Sequence, residues 1–190
     1  LKEDLIKLQK ENVDIVFVPN KEQMNAINNP FTFDLKKIKH DLCDKSRPGH
    51  FEGVISIVAR FCNVIRPSYL LLGKKDYQQL FILKKFLNDF CYPIKVLAVN
   101  TEREQSGLAM SSRNSLIAKK YLPVASMLHQ QLTYIKSNLK TISDLCSIEQ
   151  KVAKELQDNG WKIDYVSKRS QKTLLVPHHS ERKLVALVAA

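Results

Sequence analysis

Residues 68–79 read SYLLLGKKDYQQ, and no other stretch constrains the fold as strongly. A short apolar run ends at Gly73, a charged corner follows at Lys74, Lys75 and Asp76, and Gln79 lies in the first turn of a helical pattern. A strand feeding straight into a helix is the building unit of a parallel sheet, whose neighbouring strands are joined by helical crossovers. Ligands of such proteins bind where strands end, because helix N–H groups and loop side chains converge there. A glycine permits close backbone approach, and a lysine beside it supplies a compact positive charge suited to phosphate. Taken alone, the same letters also fit an ordinary strand-to-helix turn with solvated lysines.

The surrounding chain repeats the unit. Leu1, Leu5 and Leu8 recur at helical spacing, and VDIVFV at residues 13–18 reads as a strand ended by Pro19. The pattern opens inside a helix with neither a cap nor an initiator methionine, which reads as a piece of a longer chain. Residues 20–33 are polar and Asn-rich, the signature of a loop. A short amphipathic helix carrying Leu35, Ile38 and Leu42 leads to the turn Arg47-Pro48-Gly49-His50. The next helix places Phe51, Val54, Ile55, Val58, Cys62 and Ile65 on one face, and after the central strand another carries Leu80, Leu83, Leu87 and Cys91. IKVLAV at residues 94–99 completes an alternation of helix and strand that predicts a parallel sheet covered by helices. Right-handed crossovers place the three strand ends, Gly73 and Asn100 among them, on one rim, with His50 opening near it.

Residues 100–113 (NTEREQSGLAMSSR) change character to an exposed polar loop. Helical patterns follow at residues 119–138 and 142–159, then strand-like runs at 161–166, 173–176 and 183–188, with Trp161 as a core anchor. Helices followed by strands predict a separate small α+β unit, dividing the chain into 1–101 and 102–190. No run approaches the roughly eighteen apolar residues of a membrane span, and no signal-peptide core opens the chain. Cys43, Cys62, Cys91 and Cys146 form no C-x-x-C pair, and three fall in apolar helical patterns, which predicts buried free thiols and a reducing, cytoplasmic setting. A net charge of +11 points to anionic partners: nucleotides, phosphorylated metabolites, nucleic acid or a membrane surface. The lysine pairs 36–37, 84–85 and 119–120 lack interleaved aromatics, which counts against nucleic acid. His178 and His179 have no partners at metal-ligand spacing and read as a solvated turn.

Three polar islands remain: RPGHFEG at 47–53, GKKDYQQ at 73–79 and GLAMSSRN at 107–114. The third sets a glycine, two serines and an arginine within seven residues, a composition able to wrap a polyphosphate and equally able to cap the following helix. A carboxylate attacking the α-phosphorus of ATP needs in-line positioning and cations for the charge developing on the phosphates. Lys75 and Arg113 supply such cations, while Asp76 and Gln79 supply orienting groups.

In order and spacing, RPGHFEGV, GKKDYQQL, TEREQSGLAMSSRN and the leading VDIVFVPNKEQM resemble segments of the pantothenate synthetase (pantoate–β-alanine ligase) family. The resemblance continues more faintly through DYV at 164–166 and LVALVAA near the end. It implies an α/β, Rossmann-like nucleotidyltransferase sheet, here incomplete, with a small C-terminal lid. The implied reaction joins pantoate to β-alanine through a pantoyl-adenylate, consuming ATP with Mg²⁺ and releasing AMP and pyrophosphate, on the way to coenzyme A. A homodimer acting on small molecules, with neither nucleic acid nor membrane as partner, is also implied. By resemblance, Gly73, Lys74, Lys75, Asp76, Glu102, Met110, Ser111, Ser112 and Arg113 lie at the ATP, and Gln79 at pantoate. Lys75, Arg113 and His50 carry the chemistry, with Arg47 beside His50.

Three residues depart from the family pattern: Lys74 replaces an acid, Cys43 replaces a glutamate, and Glu102 replaces an apolar residue. The family's His-x-Gly-His segment has no counterpart in these residues, so the parallel sheet is expected to carry an exposed edge. The alternatives are a non-catalytic adenine-nucleotide-binding remnant of the family and a basic nucleic-acid-binding module.

Overall fold

The computed structural model describes residues 1–24, 33–35, 41–138 and 145–190. Helices α1 (Lys2–Lys10), α2 (Lys21–Met24), α3 (Cys43–Ser46) and α4 (His50–Ile65) precede strand β1 (Tyr69–Gly73). Helix α5 (Tyr77–Asp89) then crosses to β2 (Lys95–Val99), which pairs with β1 in parallel from Tyr69 against Lys95 to Gly73 against Val99. The apolar stripe predicted for α5 holds: Leu80, Leu83 and Leu87 are buried, and Leu83 and Leu87 share a core with Phe51, Ile55 and Ala59 of α4. Leu70, Leu72 and Val96 pack on this core from the sheet, whereas Tyr69, Leu71, Leu97 and Val99 are exposed.

Several sequence expectations shift here. Residues 13–18 join no ladder among the described residues, so the parallel sheet has two strands there instead of three. A strand is defined by its hydrogen-bonded neighbour, and this segment instead makes side-chain contact, with Phe17 set edge-on to Phe61 of α4 at 6.0 Å. Within the expected 20–33 loop, residues 21–24 form α2; residues 25–32, and most of the helix expected around Ile38, lie outside the described residues.

The cysteines differ as well. All four are free, but only Cys62 is buried; Cys43 is half-buried, and Cys91 and Cys146 are exposed. Cys91 leaves the buried stripe because α5 ends at Asp89 and Cys91 turns into the left-handed region at φ 55. Tyr92 N–H then closes the turn on Leu87 O at 2.9 Å, ahead of Pro93.

The C-terminal elements have their own core. Residues 119–138 split around Pro123 into a 3₁₀ turn (Lys119–Tyr121), α6 (Leu122–Ala125) and α7 (Met127–Asn138), followed by α8 (Leu145–Asp158). Strands β3 (Tyr165–Ser170) and β4 (Leu184–Ala189) pair antiparallel, with Tyr165 opposite Ala189 and Ser170 opposite Leu184. Ile135, Ile148, Val152 and Leu156 of the helices bury against Val166, Ala186 and Val188, with Trp161 at their border. By strand alternation Tyr165, Ser167 and Arg169 take the opposite face, toward the N-terminal elements.

The run at 173–176 is a turn, not a strand. Ser170 Oγ accepts from Lys172 N–H and Thr173 N–H, each at 3.1 Å, and Leu174 is buried at φ 59, a left-handed residue that no ladder accommodates.

Leu83, fully buried in the core shared by α4, α5 and the sheet, is the test of that first core. Leu83→Ala is expected to lower unfolding free energy by about 2–5 kcal/mol, read from the urea midpoint at unchanged slope.

Candidate active site

The corner forms as its letters suggest. β1 ends at Gly73, Lys74–Asp76 make one 3₁₀ turn, and α5 starts at Tyr77. Lys74 Nζ donates to Asn100 Oδ1 at 2.7 Å, tying the ends of β1 and β2 on one rim. Lys74 is thereby engaged by the fold, whereas the Lys75 ammonium has no hydrogen-bond or ion-pair partner among the described residues. The two adjacent glutamines also separate. Gln78 is buried and Gln79 half-buried toward the cleft.

His50 opens α4 as expected. Gly49, at φ 77, is the cap residue, a conformation that costs glycine little and other residues more. His50 N–H donates to Arg47 O at 3.2 Å, so the Arg-Pro-Gly-His turn presents Arg47 and His50 together.

The loop after β2 is a stapled hairpin. Arg103 and Ala109 form an antiparallel bridge, Glu104 N–H meets Leu108 O at 2.9 Å, and Met110 N–H meets Glu102 O at 2.9 Å. The Arg103 guanidinium donates to Gly107 O at 3.0 Å, and Asn114 Nδ2 donates to Glu104 Oε1 at 2.8 Å and Ala109 O at 3.0 Å. Ser111 Oγ accepts from Arg113 N–H at 3.2 Å, which is the capping role its sequence allowed. The Arg113 guanidinium has no partner among the described residues.

These three segments border one cleft of about 600 Å³ between the N-terminal sheet and the C-terminal hairpin. Arg47, His50, Lys74, Lys75, Asp76 and Gln79 line it from the N-terminal elements, and Ser111 and Arg113 from the loop after β2. Gly73, Glu102, Met110 and Ser112 do not line it; Met110 is 60% exposed, and Glu102 meets Met110 through its backbone. No group of three potential metal-ligating side chains occurs among the described residues, and His178 contacts Ser180 in an exposed turn.

Other residues at the cleft (Tyr165, Gln78 and His129) and behind it (Arg169) were not singled out from sequence. Tyr165 OH lies 3.0 Å from Cys43 Sγ, and burial, then this contact, push its pKa well up, so the phenol stays protonated. Buried Arg169 pairs with Asp41 at 2.7 Å. Gln78, the neglected member of the glutamine pair, binds the backbone around Cys43 at both ends of its amide. His129 of α7 packs beneath Gly107, with its Nδ1 buried and unpartnered. Only distance in space, not spacing in the chain, connects these groups.

Gly107 has φ 89, and an added Cβ would meet the His129 ring at 2.9 Å. Gly107→Ala should cost about 1–2 kcal/mol from the backbone alone, and His129→Ala in the same protein should relieve only the steric remainder, as a thermal double-mutant cycle measures. Burial first, then Arg103, hold the His129 pKa below its ordinary 6.5. The neutral ring therefore stabilises the fold fully above that value, and the contribution is lost as pH falls through the lower folded-state pKa. The drop in Tm from about pH 7.5 to about pH 5 should be smaller in His129→Gln than in the parent.

Residues 1–190 match the family profile described as Pantoate-beta-alanine ligase. The pantothenate synthetase of Methylobacillus flagellatus is 38% identical over 191 residues, covering 100% of this chain and 69% of that protein. That of Chromobacterium violaceum is 35% identical, covering 98% and 68%. Among solved structures, pantothenate synthetase from Thermus thermophilus superposes with a TM-score of 0.82 at 28% identity, over 94% of this chain and 65% of that one. Pantoate-beta-alanine ligase from Francisella tularensis, complexed with β-γ ATP and β-alanine, gives 0.71 at 29%, over 87% and 60%. The chain thus spans roughly two thirds of these proteins' length. The same α/β frame and a match along every residue give one conclusion: the chain belongs to the pantoate-beta-alanine ligase family.

Proposed function

We propose that the protein containing this chain ligates pantoate to β-alanine at the expense of ATP, and that the cleft described above is one side of its active site. The observation that carries the reading is that two cations from separate segments, Lys75 and Arg113, line a single cleft, neither with a partner among the described residues. The pantoate carboxylate attacks the α-phosphorus of ATP and pyrophosphate leaves; the β-alanine amine then attacks the acyl carbon of the adenylate, and AMP leaves. The first step gathers negative charge on phosphate oxygens, and preformed cations stabilise it without reorganisation. The ATP and β-alanine in the Francisella relative support the assignment of substrates.

Within this reading Lys75 faces the phosphates as a point charge, Arg113 closes on them from the 107–114 loop, and Gln79 orients pantoate. Asp76 and Ser111 sit at the same cleft, as do Arg47 and His50. Lys74 lines the cleft with its ammonium tied to Asn100, whereas Gly73, Glu102, Met110 and Ser112 belong to the ATP side only through backbone or through loop closure. The division at 101/102, with the C-terminal part as a lid, fits the two separate cores. Mg²⁺ would arrive on the ATP phosphates; the described residues form no three-ligand site for it. No helix among them is long and apolar enough to cross a membrane. A cytoplasmic homodimer supplying coenzyme A synthesis completes the proposal, on the strength of the family.

Lys75→Ala should slow pantoate-dependent pyrophosphate release by about 100- to 1000-fold, while amide formation from isolated pantoyl-adenylate falls less than about tenfold. Equal losses in both half-reactions would remove Lys75 from the phosphate role. Arg113→Ala should separate the half-reactions less, because a loop residue also affects closure.

A further inference from the structure

Residues 41–43, which lead into α3, are held from two sides by groups that the reaction does not use. Gln78, buried in the first turn of α5 beside the Lys75 corner, accepts from Cys43 N–H through Oε1 at 3.0 Å. Its Nε2 donates to Asp41 O at 3.2 Å, so one side chain fixes the backbone on both sides of Leu42. From the C-terminal hairpin, buried Arg169 reaches Asp41 Oδ2 at 2.7 Å, and Tyr165 OH meets Cys43 Sγ at 3.0 Å. Tyr165 and Arg169 are two pleats apart on one face of β3, so both reach the same short segment.

The held backbone is itself unusual. Leu42 is buried with φ 56 and ψ −128, a region costly for any residue with a side chain, and its N–H is taken by Asp41 Oδ1 at 2.9 Å. Such a conformation persists only where its surroundings over-determine it, and the contacts from Gln78, Tyr165 and Arg169 do so here. Beyond Cys43, the chain delivers Arg47 and then His50 into the cleft.

We propose that Gln78, Tyr165 and Arg169 form a latch on residues 41–43 that joins the C-terminal hairpin to the N-terminal sheet and positions Arg47 and His50 in the cleft. Gln78 sets the segment against the Lys75 corner. Arg169 and Tyr165 couple it to the position of the hairpin, so that the two sides of the cleft and the Arg-Pro-Gly-His turn move as one assembly. These are positioning residues: none is required to touch substrate. Their effect on turnover rests on the ligase reading, whereas the latch itself does not.

The four free cysteines provide the test, because they differ in exposure. In the protein expressed from its complete gene, each thiol's reaction with a maleimide is timed by peptide mass mapping. Exposed Cys91 and Cys146 report reagent access, buried Cys62 reports global opening, and half-buried Cys43 reports the latch. Arg169→Gln and Gln78→Leu, neither of which removes the Cys43 thiol's own partner, should each raise the Cys43 rate about tenfold with Cys62 unchanged. Arg169→Lys, which keeps the charge that pairs with Asp41, should recover most of the protection. An unchanged Cys43 rate overturns the latch, and so does a parallel rise at Cys62, which marks the residues as general stabilisers.

For positioning, Arg169→Gln should lower kcat for pyrophosphate release about tenfold or more, with KM for ATP changed less than about threefold. Faster Cys43 labelling with full turnover overturns the positioning role. A parent protein that labels as expected but forms no pantothenate counts against the ligase reading and leaves the latch supported.

Discussion

Five residue pairs of parallel backbone, Tyr69–Gly73 against Lys95–Val99, set where everything else at the cleft can be. Parallel pairing obliges the chain to leave one strand, cross by helix and return in the same direction, so the ends of both strands arrive together. The contact between Lys74 and Asn100 is the local consequence, and it leaves the neighbouring lysine as the cation available for a ligand. The loop after β2 starts from that same rim, which is why Ser111 and Arg113 can line the same cleft as the corner. Were the two strands antiparallel, the corner and the loop would open at opposite ends of the sheet.

The periodic part of this architecture was legible in the letters. Leucines at 80, 83 and 87 and the alternation of helix and strand specified α5, both parallel strands and the shared rim, because they report which face each element buries. Residues 13–18 and 173–176 failed for a common reason: β-rich composition states a capacity to pair, and pairing depends on a neighbour the local sequence does not contain. The cysteine expectation failed at a boundary. A helix that stops at Asp89, short of its apolar pattern, turns Cys91 from core into surface.

At the cleft, sequence singled out charged and polar groups that line it and missed those that tie remote segments together by contact. Lys75, His50 and Arg113 stood out because polar residues interrupted apolar periodicity. Tyr165 and Arg169 sit in an ordinary strand, and their partners at residues 41–43 lie in a remote part of the chain. Gln78 and Gln79 are the sharpest case. As letters they are identical, and both border the cleft, yet a rotation of one helical step buries one as an internal brace and leaves the other half-exposed.

Leu42 gives the segment at residues 41–43 a direction. A leucine at φ 56 sits above its relaxed backbone by about 1–3 kcal/mol. That excess is returned whenever the surrounding bonds let go. Loosening the contacts from Gln78, Tyr165 or Arg169 would therefore let Leu42 relax toward a cheaper backbone conformation. A glycine at this position would hold φ 56 without that backbone cost, but would give up the buried leucine side chain.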